Sequence, residues 1–541
     1  MQARSDARTG PLFSTLGVFL AAVILALAFT VATNHIWEDY WITFRSAKNL
    51  VTGHGLVHQH GERLHTFTSP LGVLLPALCS LLTGNQSDLA ALWLFRMIGV
   101  AAFGGAAALM WLSVSAMKLH RAAAGLLILW LITDNKSLDF ATNGMETSIL
   151  LLFVSWMLWA LFACRGPTQW RHLGTAWAGL MWTRPDSFIT IAAMAAAVLI
   201  FTNAREGGKT RKEWLQLFLK AAVLCTILYL PWFAWAWWYY GTPVPHTVTA
   251  KGGLAGTKTL LGGLWSFVKQ PVVLFLESST GESALAPANL RFGGWPAALG
   301  PACRVVAGLA YMVWLVPGVR WQARAASFVF AVFLAYLDYF PAYPASWYLP
   351  APAWLGLLGL AGLVECAFQA GKALRRVAAT VGVMLLIMGL WMTFQTARTF
   401  AAQQQWVEEG NRKQIGLWLK DHAQPDDTVF MECLGYIGYY SGLRTHDWPG
   451  LSSQAMVKAA KASRYDWAAT LAELKPTWIV LRPQEVMLHL HGSVTIPGCR
   501  YELARIFDAT SHLERLDIQG KGFLSFDSCF LVFHLQKEVS P

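Results

Sequence analysis

Glu38 and Asp39 stand side by side in the run Trp37-Glu38-Asp39-Tyr40-Trp41-Ile42-Thr43-Phe44-Arg45, just past the first long apolar stretch. A carboxyl at the edge of a low-dielectric layer resists ionisation, so its pKa rises toward the range where it works as a general base. The same pair would also serve as a solvated helix cap. Next come Gly53-His54-Gly55-Leu56-Val57, Gly61-Glu62-Arg63 and Thr66-Phe67-Thr68-Ser69-Pro70-Leu71. Further on, Glu146 precedes a helix start at Thr147, where it suits a cap as well as a site. Arg184 and Asp186 flank Pro185 and can pair with each other at a helix break. His246 and Lys251 share a loop, and Lys251 also reads as an interfacial lysine with its ammonium turned to water. Tyr343, Trp347 and Tyr348 form an aromatic interface belt or a stacking surface. No loop carries the compact ligand set of a structural metal site. Mg²⁺ or Mn²⁺ would have to bind through oxygens of Glu38 and Asp39; no other cofactor is implied.

Long apolar runs must position these residues. The 541 residues are 55% hydrophobic and 13% charged, with 27 Trp, whereas soluble domains average about 25% charged. Residues 1–395 alternate apolar runs with short polar joints, and residues 396–541 have the composition of a soluble α/β domain. The tail is near neutral, with 15 Lys+Arg against 16 Asp+Glu, so the formal net charge of +11 belongs to the remainder. Basic residues between apolar runs set membrane orientation, which argues against nucleic acid as a partner.

A span needs about 20 apolar residues. Leu12–Thr33, preceded by Arg4 and Arg8, reads as a retained signal-anchor with its N-terminus inside. The run Pro70–Gly84 is short and reads as an interfacial or re-entrant helix. With that assignment the chain crosses about eleven times. The clusters Lys118/Arg121, Arg165/Arg171, Arg205–Lys212, Arg320/Arg324 and Lys372–Arg376 then fall on one side. The first loop, Asp134–Thr147, Arg184–Asp186, a long loop after Tyr239, and the tail all fall outside. In the tail, Thr428–Glu432, Trp478–Leu481 and Phe530–Leu535 read as strands, and Trp406–His422, Met456–Ser463 and Trp467–Leu474 as helices. An extracytoplasmic tail permits a disulfide, with Cys499–Cys529 the expected pair.

Five motifs taken in order resemble the GT-C superfamily of membrane glycosyltransferases, in the branch of mycobacterial terminal arabinofuranosyltransferases. They are Glu38–Arg45 with the Gly53–Val57 and Thr68–Leu71 segments; Asn143-Gly144-Met145-Glu146-Thr147; Thr183-Arg184-Pro185-Asp186; Tyr239-Tyr240-Gly241-Thr242-Pro243-Val244-Pro245-His246-Thr247-Val248-Thr249-Ala250-Lys251; and Gly435-Tyr436-Ile437-Gly438-Tyr439-Tyr440-Ser441-Gly442-Leu443. Where the family usually has Pro-Asn-Thr-Phe-Tyr-Ala-Lys, this chain has Pro245–Lys251 without the Asn and Tyr. The resemblance implies transfer of a sugar from a polyprenyl-phosphate donor to a glycan, lipid-linked glycan or protein at the outer face of the inner membrane. It implies that Arg45, Arg184, Lys251 and His246 contact the donor phosphate. His54, Glu146, Asp186, Tyr343, Trp347 and Tyr348 would contact substrate, and Asp39 or Glu38 would take the acceptor proton. On a helix starting here the two carboxyls point about 100° apart. Asp39 shares its stripe with Ile42 and Thr43 and is the preferred base.

Two other classes compete. A lipid or solute transporter favours inverted repeats and mid-span charges, neither of which the sequence displays. A structural subunit of an envelope assembly complex would find its outer carboxylates dispensable.

Overall fold

The computed structural model describes residues 10–202, 208–255, 258–277, 280–290, 293–340 and 345–536. The first half runs α1 (Gly10–Thr33), α2 (Glu38–Val51), α3 (Pro70–Leu82), α4 (Asp88–Ala116), α5 (Arg121–Thr133), α6 (Asn135–Thr142), α7 (Thr147–Phe162), α8 (Gln169–Thr183) and α9 (Phe188–Phe201). Longer helices follow at Arg211–Tyr240, Trp321–Tyr339, Pro350–Ala370 and Lys372–Ala402, with Leu299–Met312 among them. Ser14–Thr33, Asp88–Ala116, Arg211–Tyr240, Ser346–Ala370 and Lys372–His422 are each long and apolar enough to cross a bilayer. α6 and α7 make a sixth candidate as a pair bent by 116°. The chain is therefore a multi-pass membrane protein. Each of the eleven expected runs is a helix, but the others are shorter or less apolar.

Two stretches expected as loops are helical. Asp134–Thr147 contains α6, every residue of which is buried. Beyond Tyr240 lie the helices His246–Ala255, Leu260–Leu276 and Thr280–Leu285. Leu260–Leu276 is apolar, and Gly262, Gly263, Lys269 and Pro271 interrupt the pattern that would have marked it.

Small residues bring the helices together. Gly99 of α4 lies against the Ala141 carbonyl and Ser148, Gly104 against Phe19 and Val23, and Gly179 of α8 against Phe153. A methyl at any of these would force α1, α6, α7 or α8 away, the close-approach packing usual between apolar helices.

Lys372–Ala402 continues through a π-helical segment, Gln403–Arg412, into Lys413–His422. The expected boundary between residues 395 and 396 thus falls inside one continuous rod. Beyond it β1 (Thr428–Met431), β2 (Arg444–Asp447), β3 (Trp478–Leu481), β4 (Arg500–Asp508) and β5 (Cys529–Gln536) form a sheet in the order β2-β1-β3-β5-β4. The first three are parallel, and β5 and β4 run antiparallel. Both faces are covered. Val429, Met431, Val480 and Val532 pack on Ile415, Leu419 and Ile437, while Phe430, Ile479 and Leu481 pack on Met456, Ala460 and Leu471. Strands buried on both faces read as unbroken apolar runs.

The expected Cys499–Cys529 disulfide is not formed. Cys529 pairs with Asp508 at one end of the β4–β5 ladder, and Cys499 precedes Arg500 at the other. At about 3.4 Å per residue the two sulfurs are far beyond the roughly 7 Å Cα separation that a disulfide tolerates.

Candidate active site

Arg96, 1% exposed, fixes where α1 ends and α2 begins. Its guanidinium donates to the carbonyls of Thr142, Asn34 and His35 and to the Asn34 side chain. The Trp37 N–H donates to the Asn143 carbonyl at 2.9 Å, and His35 meets Asp139 at 2.7 Å in a fully buried pair. α2 starts one residue later, with both carboxyls in its first turn, where negative charge suits the helix dipole. Its buried stripe is Tyr40, Trp41, Phe44 and Ala47.

That stripe docks on the tail helix Leu434–Ser441. Trp41 packs against Tyr436, Tyr439 and Tyr440, with ring centroids 5.6, 4.7 and 5.1 Å apart. Gly435 sits so close to the Glu38 backbone that any side chain there would collide with it. The first and last of the recognised motifs are therefore two sides of one contact.

Neighbouring carboxyls end in different surroundings. Glu38 turns to the tail, where Gly435 N–H donates to it at 3.0 Å and Arg412 Nη1 lies at 3.1 Å. Burial pushes its pKa up, and Arg412 opposes the shift. Asp39 has no hydrogen bond or ion pair to its carboxyl among the described residues. Burial raises its pKa to about 6; Lys251 and Arg412 oppose the rise, and Glu146 and Glu432 add to it.

Arg184 sits opposite, 5% exposed, between Glu146 at 3.4 Å and Asp186 at 3.2 Å, with the Tyr348 ring 3.9 Å from its guanidinium. Lys251 lies 6.0 Å from the Trp347 ring centre, and Trp347 packs on Trp37 at 5.9 Å. Glu146, Arg184, Asp186 and Tyr348 thus form one charged cluster, and the charges of Lys251 and Glu146 act on Asp39. An apolar cavity of about 560 Å³ opens beside the cluster, lined by Phe188, Leu264, Phe267, Phe328, Val332 and Tyr336. The Tyr336 hydroxyl donates to Asp186 at 3.4 Å, joining the cavity to the charged cluster.

Three expected site residues lie elsewhere. Arg45 donates to the carbonyls of Gly438, Gly442 and Leu443. His54 stacks on His60 at 4.0 Å, exposed on the first loop. His246 hydrogen-bonds the Gly450 carbonyl at 3.1 Å. Tyr343 is outside the described residues. Among the described residues no three His, Cys, Asp or Glu side chains converge as metal ligands. Glu38 is engaged by Arg412 and the Gly435 N–H. Sequence reasoning missed Trp37, Tyr336 and Arg412, which look like a belt, a span and a solvated helix face.

Residues 396–527 match a model described as a domain of unknown function (DUF8728). A terminal β-(1→2)-arabinofuranosyltransferase of Corynebacterium glutamicum is 27% identical over 297 residues, which is 50% of this chain and only 40% of that protein's length. The solved structure of ArnT from Cupriavidus metallidurans bound to undecaprenyl phosphate superposes with a TM-score of 0.52 at 11% identity, covering 99% of this chain and 100% of that one. Its apo form matches equally well, at 0.52 over 96% of this chain and 98% of that one. The fold is that of the ArnT structures. The charged cluster lies near the place where α2 of the helical bundle meets the tail helix Leu434–Ser441.

Proposed function

We propose that the protein is a membrane glycosyltransferase that moves a sugar from a polyprenyl-phosphate carrier to an acceptor hydroxyl on the extracytoplasmic face of the plasma membrane. The carrying observation is Asp39: a half-buried carboxyl without a partner among the described residues, raised by burial to about 6, with the charges of Lys251 and Arg412 opposing the rise. The isoprenoid occupies the 560 Å³ cavity, and its phosphate meets Lys251 and Arg184. Arg184 is suited to a planar phosphate contact because its guanidinium presents several donors in a fixed fork. Trp347, Tyr348 and Trp37 supply flat surfaces for the sugar.

In the reaction the acceptor oxygen bonds to the anomeric carbon, the bond from that carbon to the phosphate oxygen breaks, and the acceptor proton passes to Asp39. The products are a glycoside and polyprenyl phosphate, whose charge the two cations hold. Phosphate leaves readily, so no strong acid is required. Likeness to the corynebacterial enzyme supports arabinofuranose as the sugar. The basic clusters at the ends remote from the tail support a cytoplasmic N-terminus and an extracytoplasmic tail.

Purified protein in nanodiscs, incubated with a panel of polyprenyl-phosphate pentoses and hexoses and a saccharide acceptor, tests the proposal. Acceptor-dependent loss of the arabinofuranosyl donor is expected. Consumption of another sugar would replace the donor, and consumption of none would remove the transferase reading.

A further inference from the structure

The end of the bundle opposite the charged cluster has a pocket of its own. α9 starts just after Asp186 and runs to Phe201, about 20 Å at 1.5 Å per residue. The helix Arg211–Tyr240 begins beside that far end and returns, and the hydroxyl of its last residue donates to the Leu56 carbonyl of the first loop at 2.6 Å. Arg211 and Lys212 therefore sit remote from the first loop. There a recess of about 530 Å³ opens between the two helices, lined by Leu199 and Ile200 of α9 and by Arg211, Lys212 and Leu215 of the other.

Its walls are apolar and its mouth is cationic. Neighbouring cations are occupied: Lys209 lies over the Trp214 ring at 5.2 Å, and Arg324 lies over Phe201 at 4.5 Å and donates to the Trp314 carbonyl at 2.9 Å. Arg211 and Lys212 have no hydrogen bond, ion pair or ring contact among the described residues. Glu213, the carboxylate of the same turn, is turned back to Thr210 at 2.6 and 2.8 Å and pairs with neither. Membrane orientation calls for cations at such an end, but not for a recess beneath them. Below it Leu215, Leu219, Val223, Ile227 and Leu230 follow at steps of three or four and form one stripe, each 50 to 60% exposed. The stripe is about 22 Å long, most of the depth of a hydrocarbon core of about 30 Å. It meets lipid chains, and the recess meets what those chains carry at their polar end. A headgroup of net negative charge pairs with both cations; a zwitterionic one brings its own ammonium against them.

We infer that the recess between α9 and the helix Arg211–Tyr240 binds an anionic phospholipid, with its phosphate on Arg211 and Lys212 and an acyl chain along the Leu215–Leu230 stripe. On the orientation proposed above, this lipid belongs to the cytoplasmic leaflet, opposite the face proposed for transfer. The recess shares no residue with the charged cluster, so lipid retention and sugar transfer are measured separately.

Native mass spectrometry of the full-length protein, released from micelles holding equal amounts of dioleoyl phosphatidylglycerol and dioleoyl phosphatidylethanolamine, tests it. The unaltered protein should retain phosphatidylglycerol in preference. Arg211→Gln and Lys212→Gln should each cut that preference about fivefold, and the double variant roughly 25-fold, as for two cations at an anionic lipid surface. Ile200→Trp, which fills the recess, should weaken retention with both cations in place. Arg171→Gln removes a cation that lies over Trp170 outside the recess and should change nothing. Glycerol 1-phosphate, a headgroup phosphate without chains, should not displace the lipid. Equal retention of the two lipids by the unaltered protein, or equal losses in Arg171→Gln and Arg211→Gln, would reduce the cations to orientation signals and overturn the site. Displacement by glycerol 1-phosphate would replace the lipid with a soluble phosphate. Stronger displacement by polyprenyl phosphate than by added phosphatidylglycerol would assign the recess to the carrier instead.

Discussion

Glu38 and Asp39 are consecutive in the chain and share a helical turn, yet one carboxyl is tied into the tail and the other is not. Glu38 meets a guanidinium and a backbone N–H of the tail; Asp39 meets neither among the described residues. Arg412 and Arg184 differ in a similar way. Arg412 has partners on both sides of the tail contact, Glu38, Glu408 and Asp527. Arg184 keeps a longer contact to Glu146, at 3.4 Å, and stacks on Tyr348 beside the cavity. Ion pairs of 2.9 to 3.1 Å mark the joint between the two lobes, and longer ones of 3.2 and 3.4 Å mark the place where we propose that a ligand's charge enters.

The largest expected effect separates the two carboxyls. Asp39→Asn keeps the shape but removes the proposed base, and transfer should fall about 10²–10⁴-fold while donor binding persists. Near-normal transfer by this variant, measured beside Glu38→Gln, would erase the distinction drawn here. Next in size is the donor contact. Lys251→Ala and Arg184→Lys should weaken polyprenyl-phosphate binding, in the alanine case by roughly 30-fold, as when one partner of a desolvated charge pair is removed. Fluorescence-quenching titration with polyprenyl phosphate reads this directly, and unchanged affinity in both would return the two residues to structural roles.

The cavity gives a smaller effect. Leu264→Trp should fill part of it and weaken a long-chain donor about tenfold, leaving a two-isoprene donor unaffected. Equal loss for both donors would mean that the cavity does not hold the chain. The smallest effect on turnover should come from the joint itself. Gly435→Ala overpacks the Glu38 backbone at a cost of about 1–3 kcal/mol. Limited proteolysis should then cleave near the joint sooner, with transfer reduced less than tenfold.

Much of this arrangement was legible because its signals are local. Trp478–Leu481 is four apolar residues buried on both faces, and Trp467–Leu474 has a capping Asp466 before an amphipathic turn. β2 was not legible, since Arg444-Thr445-His446-Asp447 contains no aliphatic residue and owes its strand to pairing with β1. β4 carries Arg500, Glu502 and Arg505 on an exposed edge and reads as a loop. Site residues divide by the same rule. Asp39, Glu146, Arg184 and Asp186 are flagged by residue type at a helix start or break. Arg45 looks equally suited to phosphate, but its partners come 393 to 398 residues later, where no local pattern can announce them. Trp37 and Tyr336 carry no signal that separates them from the many aromatic residues of an apolar chain.

The measurement closest to the central claim is the pH dependence of single-turnover transfer at saturating donor. If Asp39 is the base, the rate should be low where its carboxyl is protonated and rise as pH increases through about 6, then level off. Asp39→Glu should move that limb, and Glu38→Gln should leave it near its original position. A flat profile from pH 5 to 8, or a limb that stays in Asp39→Asn and vanishes in Glu38→Gln, would contradict the account.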